Sequence, residues 1–255
     1  MGTNLSKVEE SNSNQIEQPR KTVPSHESAN DQVGKTHVSD KLPHKLDETL
    51  KDAEKQIDRS SSEKMYDQLY SGIYLKQKRQ KYWVDKSLRN CFMLYANDLK
   101  ITWGEDRRYW HWPLLKDQES SEVSTFQAAE LLAVCWLEIH GKFETFKLSP
   151  GTRYEVVFVV MIKDKALGWN IPVNLRLTLP DKTIQQHKET LMEKQRGRWI
   201  EIPVGDFVTC PHQNMSNGSI PPAGDMEFSM YEFEGGLWKT GLVIKGVCIR
   251  PKINP

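Results

Sequence analysis

The chain has 255 residues, 38% hydrophobic and 9% aromatic, with a formal net charge of +1; this is apolar mass for one sizeable core, without the basic field that non-specific phosphate-backbone binding requires. Residues 1–60 carry 9 basic and 11 acidic side chains, residues 61–90 carry 7 and 3, and residues 91–255 carry 19 and 20, so no segment is strongly charged. No apolar run reaches the ~18 residues of a membrane helix and no apolar secretory stretch follows Met1, so a cytoplasmic protein is expected.

From Met1 to Ser60 there is no Phe, Tyr or Trp. Such a segment cannot bury enough apolar area to offset its conformational entropy, and residues 1–64 are expected to form a disordered polar tail. Its start, "MGTNLSK", fits M-G-x-x-x-[ST] and makes Gly2 a candidate for myristoylation, which by itself gives only weak, reversible membrane attachment. The triplets at Asn4, Asn214 and Asn217 fit N-x-S/T but are read as chance matches, because glycosylation requires entry into the secretory pathway.

Residues 65–90 are expected to form a short helical or extended connection, with Lys76, Lys78, Arg79 and Lys81 on a solvated helix face. From there the pattern changes to period-two alternation rich in β-branched and aromatic residues. Strands are predicted at 91–95, 99–103, 134–140, 143–147, 154–163, 173–179, 199–203, 226–233 and 242–251. "VNLRLTL" alternates cleanly, whereas "YEVVFVVMI" is apolar on both faces, as befits a central strand. A helical turn is expected around Ala128 to Leu132, and a polar, helix-tolerant insertion over residues 183–197. Many strands and little helix argue for an all-β, antiparallel β-sandwich over residues 91–255.

The four cysteines are widely spaced and belong to no zinc pattern, so no metal is expected. The seven histidines show no catalytic spacing. No phosphate-binding glycine loop and no G-x-S-x-G occurs, so no cofactor and no enzymatic activity are expected. Asp225, Glu227, Glu232 and Glu234 could mimic a glycosidase carboxylate pair, although spacing alone is a weak signal.

"ITWGEDRRYWHW" places Trp103, Trp110 and Trp112 within ten positions among charged residues. An aromatic shelf beside carboxylates suits a sugar, whose C–H face packs on a ring while its hydroxyls donate to carboxylate oxygens. The same rings also fit a buried cluster, since Trp is highly buried on average.

"CFMLYANDLKITWGEDRRYWHW", "VCWLEIHGKFET", "TRYEVVFVVMIK", "RWIEIPVGDF" and "LWKTGLVIKGVCIRPK", in that order, resemble the phloem protein 2 (Nictaba-like) family of plant lectins. The resemblance implies a jelly-roll-like sandwich of the carbohydrate-binding-module type and recognition of N-acetylglucosamine oligomers, such as chitin fragments, and of N-glycan cores, in plant defence. It further implies a sugar site made of Trp103, Trp110, Asp225 and Glu232. Asp225 stands where the better-known lectin carries Glu, which shortens its reach by about one methylene and leaves Glu227 as a substitute. The localisation implied is a phloem sieve element or companion cell; nuclear entry is not supported, because the family's lysine-rich stretch is missing. A homodimer fits the multivalency lectins use. The other reading is a structural or adaptor phloem protein that binds proteins or RNA.

Overall fold

The computed structural model describes residues 42–117, 124–211 and 224–253; Gly2, Asn214 and Asn217 lie outside them, as does the expected tail up to residue 41. Two short helices come first, α1 (Leu46–Thr49) and α2 (Ser62–Ser71). The strands that follow are β1 (Ile73–Leu75), β2 (Gln80–Val84), β3 (Asn90–Tyr95), β4 (Lys100–Ile101), β5 (Trp110–His111), β6 (Leu114–Asp117), β7 (Ser124–Gln127) and β8 (Ala129–Leu131). After these come β9 (Leu137–Glu144), β10 (Arg153–Ile162), β11 (Val173–Thr178), β12 (Ile184–Glu189), β13 (Trp199–Val208), β14 (Asp225–Glu232) and β15 (Leu242–Pro251).

They build an antiparallel β-sandwich. One sheet runs β1-β2-β3-β15-β10-β13, with β8 and β5 attached beside β15; the other runs β12-β11-β14-β9-β4. The alternation of β9 explains the packing: Leu137, Ile139, Gly141 and Phe143 face inward and Glu138, His140, Lys142 and Glu144 face out. Phe143 meets Phe92 of β3 at 4.7 Å between ring centroids, and Phe228 of β14 meets Phe158 of β10 edge-on at 6.2 Å, so the core lies between the sheets. "YEVVFVVMI" is indeed central, paired on both sides by β13 and β15.

The two outer faces differ. On the larger sheet the β6–β7 hairpin lays Phe126 against Tyr95, ring centroids 5.3 Å apart, within a second apolar cluster. On the smaller sheet the outward side chains of β9 are Glu138, His140, Lys142 and Glu144.

Five expectations are corrected. Residues 42–64 are not tail: Leu46 is buried in the core, and Ser61 caps α2, whose Met65, Tyr66 and Leu69 are buried. Residues 65–90 are no mere connection, because β1 and β2 extend the larger sheet and the lysines around Lys76 sit in their turn rather than on a helix. Residues 129–131 form strand β8 instead of a helical turn, and the polar insertion contains β12, which pairs with β11 along its whole length. The predicted strands 134–140 and 143–147 are one, β9. For β8 and β12, pairing with neighbours overrode local propensity.

Asn90 ties the early segment down. It is fully buried; its amide donates to the carbonyls of His44 and Lys147, each at 2.7 Å, and its Oδ1 accepts from the Tyr82 hydroxyl at 3.0 Å. Asn90→Ala therefore takes the partner from the buried Tyr82 hydroxyl and one hydrogen bond from each of the part-buried carbonyls of His44 and Lys147, and is expected to cost about 2–4 kcal/mol. Thermal unfolding measures that loss, and limited proteolysis should then open the chain between residues 42 and 60 while the unaltered protein resists there.

Candidate functional site

The three tryptophans of the early motif divide into one that is presented and two that hold it. The Trp110 indole N–H donates to the Thr102 carbonyl at 3.2 Å, and that of Trp112 to the Gly104 carbonyl at 2.6 Å. These acceptors flank Trp103, a residue whose backbone is left-handed at φ 56 and which is 47% exposed. A left-handed tryptophan costs on the order of 1–3 kcal/mol and persists only where its surroundings over-determine it. The turn is closed further by Gly104 N–H to the Ile101 carbonyl at 2.9 Å and Asp106 N–H to the Trp103 carbonyl at 3.0 Å. Tyr109 packs against Trp103 with ring centroids 5.4 Å apart, and Arg108 lies over the Tyr109 ring while forking onto Asp106. That fork holds the Asp106 carboxyl below its ordinary range.

Beside this turn lies an open cleft of about 1040 Å³ lined in part by Arg79, Lys100, Glu105, Arg107, Trp112 and Gln127. Trp103 stands outside its lining. Trp110 borders the cleft but is a core residue, 1% exposed, so the expectation that it offers a stacking face is corrected: β5 pairs with β8 and the ring is buried.

The two late carboxylates do not join the tryptophans either. Asp225 and Glu232 are seven residues apart on β14, and a strand sends residues an odd number apart to opposite faces. Asp225 is exposed at the far end of the sheet, opposite Glu144, whereas Tyr231 stands opposite Glu138; six residues separate these levels, roughly 20 Å. Glu232 points inward with Met226, Phe228 and Met230, and is buried. There its carboxylate pairs with Lys239, which is 0% exposed and donates as well to the carbonyls of Cys135 at 3.0 Å and Leu237 at 2.9 Å. Glu232 also accepts from Gly235 N–H at 2.8 Å. Glu232 is thus a support for the loop 233–240, not a sugar ligand. Gly168, at φ 84, lets that loop pass close: a Cβ there would lie 2.0 Å from the Trp238 carbonyl oxygen.

Trp136, just before β9, is 42% exposed, and its parity agrees: it alternates in step with Glu138 and His140 rather than with Leu137 and Ile139. Glu138 accepts from the Trp136 indole N–H at 3.2 Å and from the Thr102 hydroxyl at 3.0 Å, and its other oxygen lies 2.9 Å from His140 Nε2. The bond to His140, aided by the two donors, holds the Glu138 carboxyl below its ordinary range. Among the described residues no three His, Cys, Asp or Glu side chains gather as a metal site requires.

The sequence profile of the family described as Phloem protein 2 matches residues 89–251. The chain is 46% identical over 215 residues to Protein PHLOEM PROTEIN 2-LIKE A1 of Arabidopsis thaliana, which covers 83% of this chain and 82% of that one. It is 40% identical over 214 residues to a protein of Luffa acutangula named Lectin, covering 83% and 96%. Among solved structures, the CBM27-1 module of Caldicellulosiruptor saccharolyticus in complex with mannohexaose is similar at a TM-score of 0.37 and 12% identity, over 65% of this chain and 99% of that one. A likeness that slight carries no argument about function.

The clamp and the support predict different losses from the exposed ring. Trp110→Ala should destabilise by about 3–5 kcal/mol through the cavity it leaves, and Trp110→Phe by less. Glu232→Ala should cost about 3–5 kcal/mol, because it strands a buried ammonium, whereas Glu232→Met combined with Lys239→Met should recover much of it. Denaturant unfolding of the four variants checks both; an equal loss in the single and paired Glu232 variants refutes the ion-pair account.

Proposed function

The chain belongs to the phloem protein 2 family, and from that premise we propose that it is a non-enzymatic carbohydrate-binding lectin that takes N-acetylglucosamine oligomers and N-glycan cores in the cytoplasm of phloem cells. The observation that carries the reading is the presentation of Trp103: a large apolar ring held out in solvent on a strained backbone by two indole clamps. Apolar area maintained against its own cost is what a pyranose face needs to stack on. The Luffa relative named Lectin supports the same class.

Hydrolysis is disfavoured by geometry. A glycosidase needs two carboxyls about 5–10 Å apart across a cleft, and Asp225 and Glu232 lie roughly 23 Å apart along an extended strand, on opposite faces. Glu232 is moreover neutralised by Lys239.

A glycan array on the purified full chain tests the reading. Selective retention on chitin oligomers or N-glycan cores, without turnover, is expected. Trp103→Ala should weaken that retention about tenfold, the loss of one stacking ring, while the melting temperature stays within a few degrees. An array on which the unaltered chain retains no glycan would falsify the lectin reading.

A further inference from the structure

The early tryptophan motif leaves a second aromatic surface unexplained. On the outer face of the smaller sheet, Trp136 stacks on Phe233 at 4.3 Å and 13°, and Phe233 stacks on Tyr231 at 5.5 Å and 25°. Trp238, 59% exposed, sits on the loop that Lys239 and Glu232 fix from beneath, and the bridge between Val134 and Lys239 brings that loop alongside Cys135 and Trp136. Buried groups therefore hold the exposed rings in place.

The polar groups beside the rings are equally fixed. Thr102, just past β4, stands level with Glu138, Tyr231 and Asn174 on the next three strands: the Thr102 amide donates to the Glu138 carbonyl, Tyr231 pairs with Glu138, and Asn174 pairs with Tyr231. Gln186 of β12 reaches the Tyr231 hydroxyl at 3.1 Å. From β4 to β12 this level spans about 19 Å at the usual strand spacing, which suits a chain of sugar rings better than a single one. Glu138 is held by three donors and has lone-pair capacity for one more. Nearby, Glu227 is paired with Lys142 at 2.7 Å. A surface of apolar rings and fixed hydrogen-bonding groups fits a neutral polyhydroxylated chain.

We infer that the outer face of the β12-β11-β14-β9-β4 sheet is a glycan subsite, in which a neutral oligosaccharide lies across the strands with one ring on the Trp136–Phe233–Tyr231 stack and a hydroxyl donating to Glu138. The inference rests on the lectin reading and extends it. The Thr102–Glu138 bond joins this subsite to the turn that presents Trp103, the residue next in sequence.

Titration of the full chain with chitohexaose tests it, following heat of binding and the indole N–H resonances by NMR, with the Trp136 signal assigned by its absence in Trp136→Phe. In the unaltered chain the Trp136 indole resonance should shift on saturation. Trp136→Ala should bind at least about tenfold more weakly, and Glu138→Gln several-fold more weakly. Should Trp136→Ala fail to fold, the resonance of the unaltered chain decides alone: no shift at saturation overturns the subsite. Full affinity in a folded Trp136→Ala, with Trp103→Ala impaired, overturns the subsite and leaves the lectin reading standing. Full affinity accompanied by dissociation of a dimer assigns the rings to a contact between copies of the chain, and likewise overturns it. If the unaltered chain does not bind chitohexaose, both the N-acetylglucosamine reading and this subsite fall.

Discussion

The end of the sandwich that carries the exposed rings depends on one buried ion pair. Lys239 and Glu232 are taken out of water together, and a buried ammonium must fill all three of its donor directions. It does so with the Glu232 carboxylate and the carbonyls of Cys135 and Leu237. Those carbonyls belong to two segments, one leading into β9 and one in the loop after β14, which the Val134–Lys239 bridge also joins. The exposed rings Trp136 and Trp238 ride on these segments. An ion pair of this kind adds little net stability compared with apolar residues of the same volume, and what it fixes instead is geometry.

The indole clamps work on the same principle at the neighbouring edge. A tryptophan N–H has one donor and no acceptor, so burying the ring obliges that donor to find a carbonyl. Trp110 and Trp112 find theirs at Thr102 and Gly104, on either side of Trp103. The clustering of tryptophans is therefore not a shelf of equivalent rings; two of them satisfy their own polar atoms by bending the chain that displays the third.

Asymmetry between the sheet faces decides where such displays can be used. The hairpin of β6 and β7 covers much of the larger sheet, and Lys245 lies over the Phe126 ring, 5.2 Å from its centroid. Among the described residues no such hairpin covers the smaller sheet, and Lys142 of β9 is tied to Glu227 of β14 across its outer face. Pairing of this sort pre-orients groups that would otherwise lose side-chain entropy when a ligand arrives.

The sequence by itself determined the class of fold and the sidedness of each long strand, because side chains alternate with period two wherever the chain is extended. That rule already separates Asp225 from Glu232 and places Trp136 with Glu138 and His140, so part of the site was legible to a stricter reading of the same letters. The central place of "YEVVFVVMI" was legible for the related reason that a strand covered on both faces has no polar side. Only the tertiary structure could decide that residues 42–64 belong to the body of the protein, since Leu46 finds its apolar partners and His44 its bond to Asn90 far along the chain. It alone could show that Trp110 is a clamp and Glu232 a support. The identity of a hydrogen-bond partner 104 residues away, as Cys135 is from Lys239, is set by how the strands pair, and no local pattern carries that information.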